Sequence, residues 1–157
     1  MDDERRSLDA PDSLALPYAR SQERVAREVC IPIRADVDIV KARQMGRNLA
    51  ADLSFSFTDL TLIATAISEL ARNIILYARE GDVYLQVVEQ GEKRGIVVIA
   101  RDRGPGIADV RRALQDGYST SRSLGLGLPG ARRLMDEFDI KSEVGRGTTV
   151  TAKKWKK

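Results

Sequence analysis

The chain of 157 residues contains no histidine. That absence removes the usual general base at neutral pH, the commonest zinc ligand and every Ser/His/Asp triad. Any proton acceptor has to be another side chain. A single cysteine, Cys30, excludes an internal disulfide, and its apolar neighbours Val29 and Ile31 read as a buried strand. Aromatic residues make up only 5% of the chain, too few for a platform on which single-stranded nucleic acid could stack, and no nucleic-acid recognition motif is present. No apolar run approaches the roughly 20 residues needed to span a bilayer. The start Met1-Asp2-Asp3-Glu4 is unlike a secretory signal, so the expected location is the cytoplasm, with neither membrane nor nucleic acid as partner.

What is present is the composition of an ordinary globular domain, 43% hydrophobic and 31% charged. The length suits one domain with a core. The net charge is only +3, and the basic excess is visible mainly at Lys153-Lys154-Trp155-Lys156-Lys157, which reads as a solvated end. Residues 1–28, rich in Asp, Arg, Ser and Pro, show no sustained period and read as a flexible extension, leaving 29–157 as the domain.

Val29 to Ile33 reads as a strand that Pro32 places at a sheet edge. Asp36 is a plausible cap for a helix whose apolar positions Ile39, Ala42, Gly46, Leu49 and Leu53 recur at helical spacing. Thr58 can cap a second helix running to about Ala78, with Leu60, Ile63, Ile67, Leu70, Ile74 and Tyr77 as its core stripe. Two Val/Ile-rich runs, 83–89 and 95–101, form a hairpin and predict a largely buried sheet. A short helix over 109–115, a helix over 128–137 and strands over 139–144 and 148–155 follow. Helices lead and strands dominate the middle and end, which favours a two-layer α+β sandwich over alternating βαβ units.

Three stretches carry candidate chemistry. Glu69 and Asn73 are four residues apart on the second helix, so they share a face and fall beside its core stripe. A pair of this kind sets a proton acceptor next to an amide able to bind a metal; a salt bridge from Glu69 to Arg72 is the plainer reading. Asp102-Arg103-Gly104-Pro105-Gly106-Ile107 follows a hydrophobic strand, where a carboxylate can accept from an exocyclic amine such as adenine's while Gly104 and Gly106 clear space beside the ring. Gly125-Leu126-Gly127-Leu128-Pro129-Gly130 fits G-x-G-x-x-G, but a loop precedes it and the nearest downstream acids come too soon, so a dinucleotide-binding fold is not supported. Its physical content survives: glycines let the backbone approach phosphate oxygens at a helix start.

Taken together, Glu69 and Asn73, Asp102-x-x-Gly-x-Gly, Gly125-x-Gly-x-x-Gly and Gly147-Thr148 resemble, in order and spacing, the four boxes of the GHKL ATPase superfamily. The resemblance runs from about Cys30 to Trp155. Within that superfamily the words 42–47, 66–73, 116–121 and 133–138 look closely like RsbT-type switch kinases of the bacterial stressosome, more so than the anti-sigma-factor kinases of the RsbW and SpoIIAB type. The resemblance implies a Bergerat ATP-binding fold, with a mixed, mainly antiparallel sheet and helices on one face. It implies ATP and Mg²⁺ as cofactors and Ser/Thr phosphorylation of STAS-domain partners (RsbS and RsbR type). Release to activate a downstream phosphatase or cyclase follows in that family. Carried over by residue, Glu69 is the base and Asn73 the Mg²⁺ ligand. Asp102 binds adenine with Gly104, Gly106 and Ile107 around it, and Thr148 supports Asp102. Gly125, Gly127, Leu128 and Gly130 face the phosphates. Arg122 and Ser123 stand where the family's lid carries small residues, so Arg122 faces either phosphate or solvent. Two other readings remain beside this one: an anti-sigma factor kinase, and a non-catalytic module whose nucleotide biases partner choice. Homo-oligomerisation is not derivable from the chain.

Overall fold

The computed structural model describes residues 23–115 and 127–157. Five strands form one sheet in the order β1-β2-β3-β5-β4, with β1 Glu23–Ile33, β2 Gly81–Gln90, β3 Lys93–Asp102, β4 Glu137–Glu143 and β5 Gly147–Trp155. All four described pairings are antiparallel, so the sheet is not mixed among the described residues. Among the described residues, four helices accompany it: α1 Asp36–Asp52, α2 Phe57–Ala78, α3 Val110–Ala113 and α4 Gly127–Leu134.

The core lies between α1 and α2 and one face of the sheet. Ile63, Ile67, Leu70 and Ile74 of α2 are all at most 2% exposed, and they pack in one cluster with Ile31, Ile33, Val83, Leu85, Ile96 and Val98. Each such side chain contributes about 2 kcal/mol by leaving water, which makes α2 the central element of the fold. Length and composition alone would let α2 cross a bilayer, but half of its most apolar window is buried inside the domain. The stripe expected on α2 holds except at its end, because Tyr77 is 49% exposed and stands at the rim of a cavity.

Several local details differ from the sequence reading. β1 begins at Glu23, so residues 23–28 are strand and not part of an extension; Glu23 pairs with Gln90 and Arg24 with Glu89. An edge strand with charged side chains such as Arg24, Arg27 and Glu28 carries no apolar alternation to reveal it. Cys30 is exposed, not buried, because Ile31 and Ile33 take the core side and the two-residue period turns Cys30 and Pro32 outward. The near-continuous apolar hairpin is still buried on both faces at one place, since Val88 and Val97 are covered although they lie outside the core cluster.

The caps also shift. α2 is capped by Ser56, whose Oγ accepts from the Asp59 N–H at 3.1 Å, and not by Thr58. At α1 the cap position is Ala35; Asp36 lies inside the first turn, and Asp38 Oδ2 accepts from the N–H groups of Arg34 and Ala35. The basic end is no solvated tail, because β5 includes Lys153 and Lys154. Lys154 Nζ donates to the Leu134 carbonyl at 3.0 Å and lies 3.7 Å from Asp136, which ties the C-terminal end of α4 to the sheet.

Candidate functional site

Packing α2 across the sheet leaves a gap where the helix's last turns diverge from the ends of β3 and β5. The gap is a cavity of about 490 Å³, within the range typical of small-molecule sites. Its floor is apolar, from Leu70, Ile74, Ala100 and Val150; its polar groups include Asn73 and Tyr77 on α2, Asp102 at the end of β3, Asp109 and Arg112 at α3, and Thr148 on β5. Gly106 and Ile107 close one side and Gly127 and Leu128, at the start of α4, another.

Of the residues singled out in the sequence, the fold thus brings Asn73, Asp102, Gly106, Ile107, Gly127, Leu128 and Thr148 to one cavity. Gly104 and Gly130 are not in its wall, and Gly125, like Arg122 and Ser123, lies outside the described residues.

Glu69 holds a different position from the one its spacing suggests. It is 5% exposed and lies beside the cavity wall, behind Gly127. Its Oε1 accepts from the Gly127 N–H at 2.9 Å, and its Oε2 accepts from Arg72 Nη1 at 2.7 Å. The ion pair with Arg72 is therefore real, but its carboxylate half is buried. It forms one arm of a carboxylate buried against the glycine segment.

Asp102 sits across the sheet from Thr148, its register partner on β5, and its Oδ1 accepts from the Gly104 N–H at 2.8 Å. A Cβ at Gly104 would lie 2.6 Å from Ala78 Cβ, so the absent side chain lets the loop close on the end of α2. At Gly106, φ is +79° and a Cβ would lie 2.3 Å from the Glu143 carbonyl oxygen, so this glycine seats the loop on the β4–β5 turn.

Ser142 was not legible as a site residue. Its Oγ accepts from the Ile107 N–H at 2.7 Å and is 2.7 Å from Thr148 Oγ1, so one hydroxyl joins two residues of the cavity wall. A serine in an alternating edge strand carries no distinguishing pattern; only the register Ser142↔Thr148 exposes its role.

The residues present fit a nucleotide with its metal. A carboxamide is a hard oxygen donor suited to Mg²⁺, which keeps most of its shell as water and phosphate oxygens. Asn73, in the cavity wall, would offer such an oxygen.

A profile of the family described as "Histidine kinase-like ATPase domain" matches residues 31–154. The chain belongs to this family. It is 52% identical over 126 residues to the serine/threonine-protein kinase RsbT of Bacillus subtilis (strain 168), covering 80% of this chain and 95% of that one. The family member described here is accordingly a protein serine/threonine kinase of the RsbT type. More distant relatives include the anti-sigma F factors of Anoxybacillus flavithermus, 36% identical over 64% of this chain and 72% of the relative, and of Thermoanaerobacter sp. (strain X514), 32% identical over 73% and 82%. Among solved structures, the RsbU and RsbW domains of a Mycobacterium tuberculosis protein share the fold, with a TM-score of 0.54 at 23% identity over 83% of this chain and 33% of that one.

Proposed function

We propose that this kinase is a partner switch. It uses ATP and Mg²⁺ to phosphorylate Ser or Thr on STAS-domain proteins of the RsbS and RsbR type in the cytoplasm, and is then released to act on a downstream phosphatase or cyclase. The observation that carries the reading is the buried Glu69 carboxylate bonded to Gly127, beside a cavity that gathers Asn73, Asp102 and Thr148.

Phosphoryl transfer needs positioning, charge compensation and a group to receive the hydroxyl proton. Without histidine in the chain, Glu69 is that group. Asp102 accepts from the adenine amine, and the loop that Gly104 and Gly106 seat against α2 and the β4–β5 turn holds it in place. Gly127 and Leu128 present backbone at the phosphates, and Asn73 holds the metal. The bound Mg²⁺ supplies positive charge against the phosphate oxygens.

The test is incubation with labelled ATP, Mg²⁺ and a STAS-domain protein of the RsbS type. Label on Ser or Thr supports the proposal, and no transfer to any such protein defeats it. The relation to anti-sigma F factors favours a second reading, in which a sigma subunit is the sequestered partner. Co-purification with a sigma factor from the native cytoplasm distinguishes the two.

A further inference from the structure

The two oxygens of Glu69 are held by groups of different kinds. Oε1 meets a backbone N–H from a segment 58 residues away, in the glycine region assigned to the phosphates. Oε2 meets Arg72, one turn further along the same helix. The Arg72 arm comes from the same helix, three residues on, so it needs nothing from the glycine region. The Gly127 arm is available only while that N–H is not claimed by another acceptor, and a phosphate oxygen is such an acceptor.

A glutamate side chain has three rotatable bonds, and one hydrogen bond leaves its carboxylate free to pivot. A base has to stay within hydrogen-bond reach of the proton it takes, and displacement by about 1 Å can cost a hundredfold in rate. Arg72 supplies a charge-assisted contact from a planar group, the type that fixes the orientation of a carboxylate as well as its position. Its own side chain is 36% exposed while that of Glu69 is 7% exposed, so Arg72 reaches in from the surface to a buried acceptor.

We infer that Arg72 is a positioning residue for phosphoryl transfer. Its guanidinium holds Oε2 of Glu69 while Oε1, once the Gly127 N–H has another acceptor, takes the proton of the substrate hydroxyl, whose oxygen forms the new bond to the γ-phosphorus as the bond to the β-phosphate oxygen breaks and ADP leaves. This rests on the reading of Glu69 as the base.

The experiment measures transfer to a STAS-domain substrate and, separately, binding of a non-hydrolysable ATP analogue by calorimetry, for Arg72→Ala, Arg72→Gln, Arg72→Lys and Glu69→Gln. Arg72→Ala should lower kcat by about 10- to 100-fold, with KM for ATP and affinity for the analogue within about twofold of the parent protein. Arg72→Lys should recover part of that loss, since it restores the charge but not the fork, and added methylguanidine should raise the rate of Arg72→Ala. Arg72→Gln keeps most of the stem and stands in should Arg72→Ala fold poorly; it should show the same split. In the Glu69→Gln background, Arg72→Ala should cost no further kcat. Normal kcat in Arg72→Ala or Arg72→Gln, with Glu69→Gln inactive, overturns the role of Arg72 and leaves the base in place. Loss of analogue binding in step with kcat, or no rescue by Lys or methylguanidine, also overturns it. Normal transfer by Glu69→Gln sinks the base itself.

Discussion

Glu69 accepts a hydrogen bond from the backbone of Gly127 at 2.9 Å, which joins the middle of the core helix to the first residue of α4. The contact puts the only buried carboxylate among the described residues in the structure that borders the cavity. It also makes the consequences of changing Glu69 separable, because Gln can keep a hydrogen-bonding side chain there whereas Ala cannot.

Glu69→Gln should reduce phosphoryl transfer by about 10²- to 10⁴-fold, the range a positioned general base supplies, while nucleotide still binds. Glu69→Ala should show the same kinetic loss. It should also be less stable by about 1–3 kcal/mol, because the Gly127 N–H loses its buried partner. Transfer assays and thermal melts on both variants check this, and a Gln variant that phosphorylates at the normal rate rules the base out.

Asp102→Asn should leave the fold intact, since an amide oxygen can still accept from the Gly104 N–H. The charged acceptor is lost, so ATP affinity should fall by roughly 1.5–3 kcal/mol, or about 10- to 150-fold. Calorimetry with ATP and GTP reads both affinity and base preference; unchanged ATP affinity would remove Asp102 from adenine recognition.

Ser142→Ala removes the hydroxyl that serves Ile107 N–H and Thr148 together. Stability should drop by about 1–2 kcal/mol and ATP affinity should weaken, although Ser142 is not itself in the cavity wall. Denaturant unfolding and a binding isotherm on the same preparation test it. An affinity equal to that of the parent protein shows that the cavity wall does not depend on this hydroxyl.

Gly106→Ala should be destabilised by about 1–3 kcal/mol, because φ is +79° and the added Cβ would meet a backbone carbonyl that cannot step aside. Gly91→Ala is the control: φ is +62° there as well, but the Cβ would enter open space, so only the strain remains. Equal losses in the two variants would show that the close approach to Glu143 contributes nothing.

Cys30 is exposed, yet its thiol is held above the ordinary value of 9.0, first by partial loss of solvation and next by the negative charge of Asp82. A raised value means that thiolate forms later on the alkaline side, so alkylation at pH 8 should be slower than for an unperturbed thiol and its rate should level off at a higher pH. Asp82→Asn should speed labelling at pH 8. Rates that match a model thiol in both proteins would contradict this.

The α+β architecture, α2 with its apolar stripe, the hairpin and the ordered glycine segments were legible because each depends on neighbours within a few residues. Periodicity reports which way successive side chains point, and that is a local property of helix and strand. Seven of the expected site residues line one cavity, but their convergence from α2, the end of β3 and the loop after it, the start of α4 and β5 is a tertiary outcome that local patterns do not carry.

Other features had no local signature. The strand at residues 23–28 forms only because β2 offers a partner, and Cys30 faces outward because helices cover only the other face of the sheet there. Gly104 is required by Ala78, and Ser142 matters through Thr148. The sequence by itself excluded histidine as a proton acceptor and placed Glu69 and Asn73 on one helix face. Only the tertiary structure decided that Asn73 opens into the cavity while Glu69 is buried behind Gly127 with both oxygens bonded. Helical spacing sets direction around an axis, whereas burial and hydrogen-bond partners depend on which distant segment packs against that face.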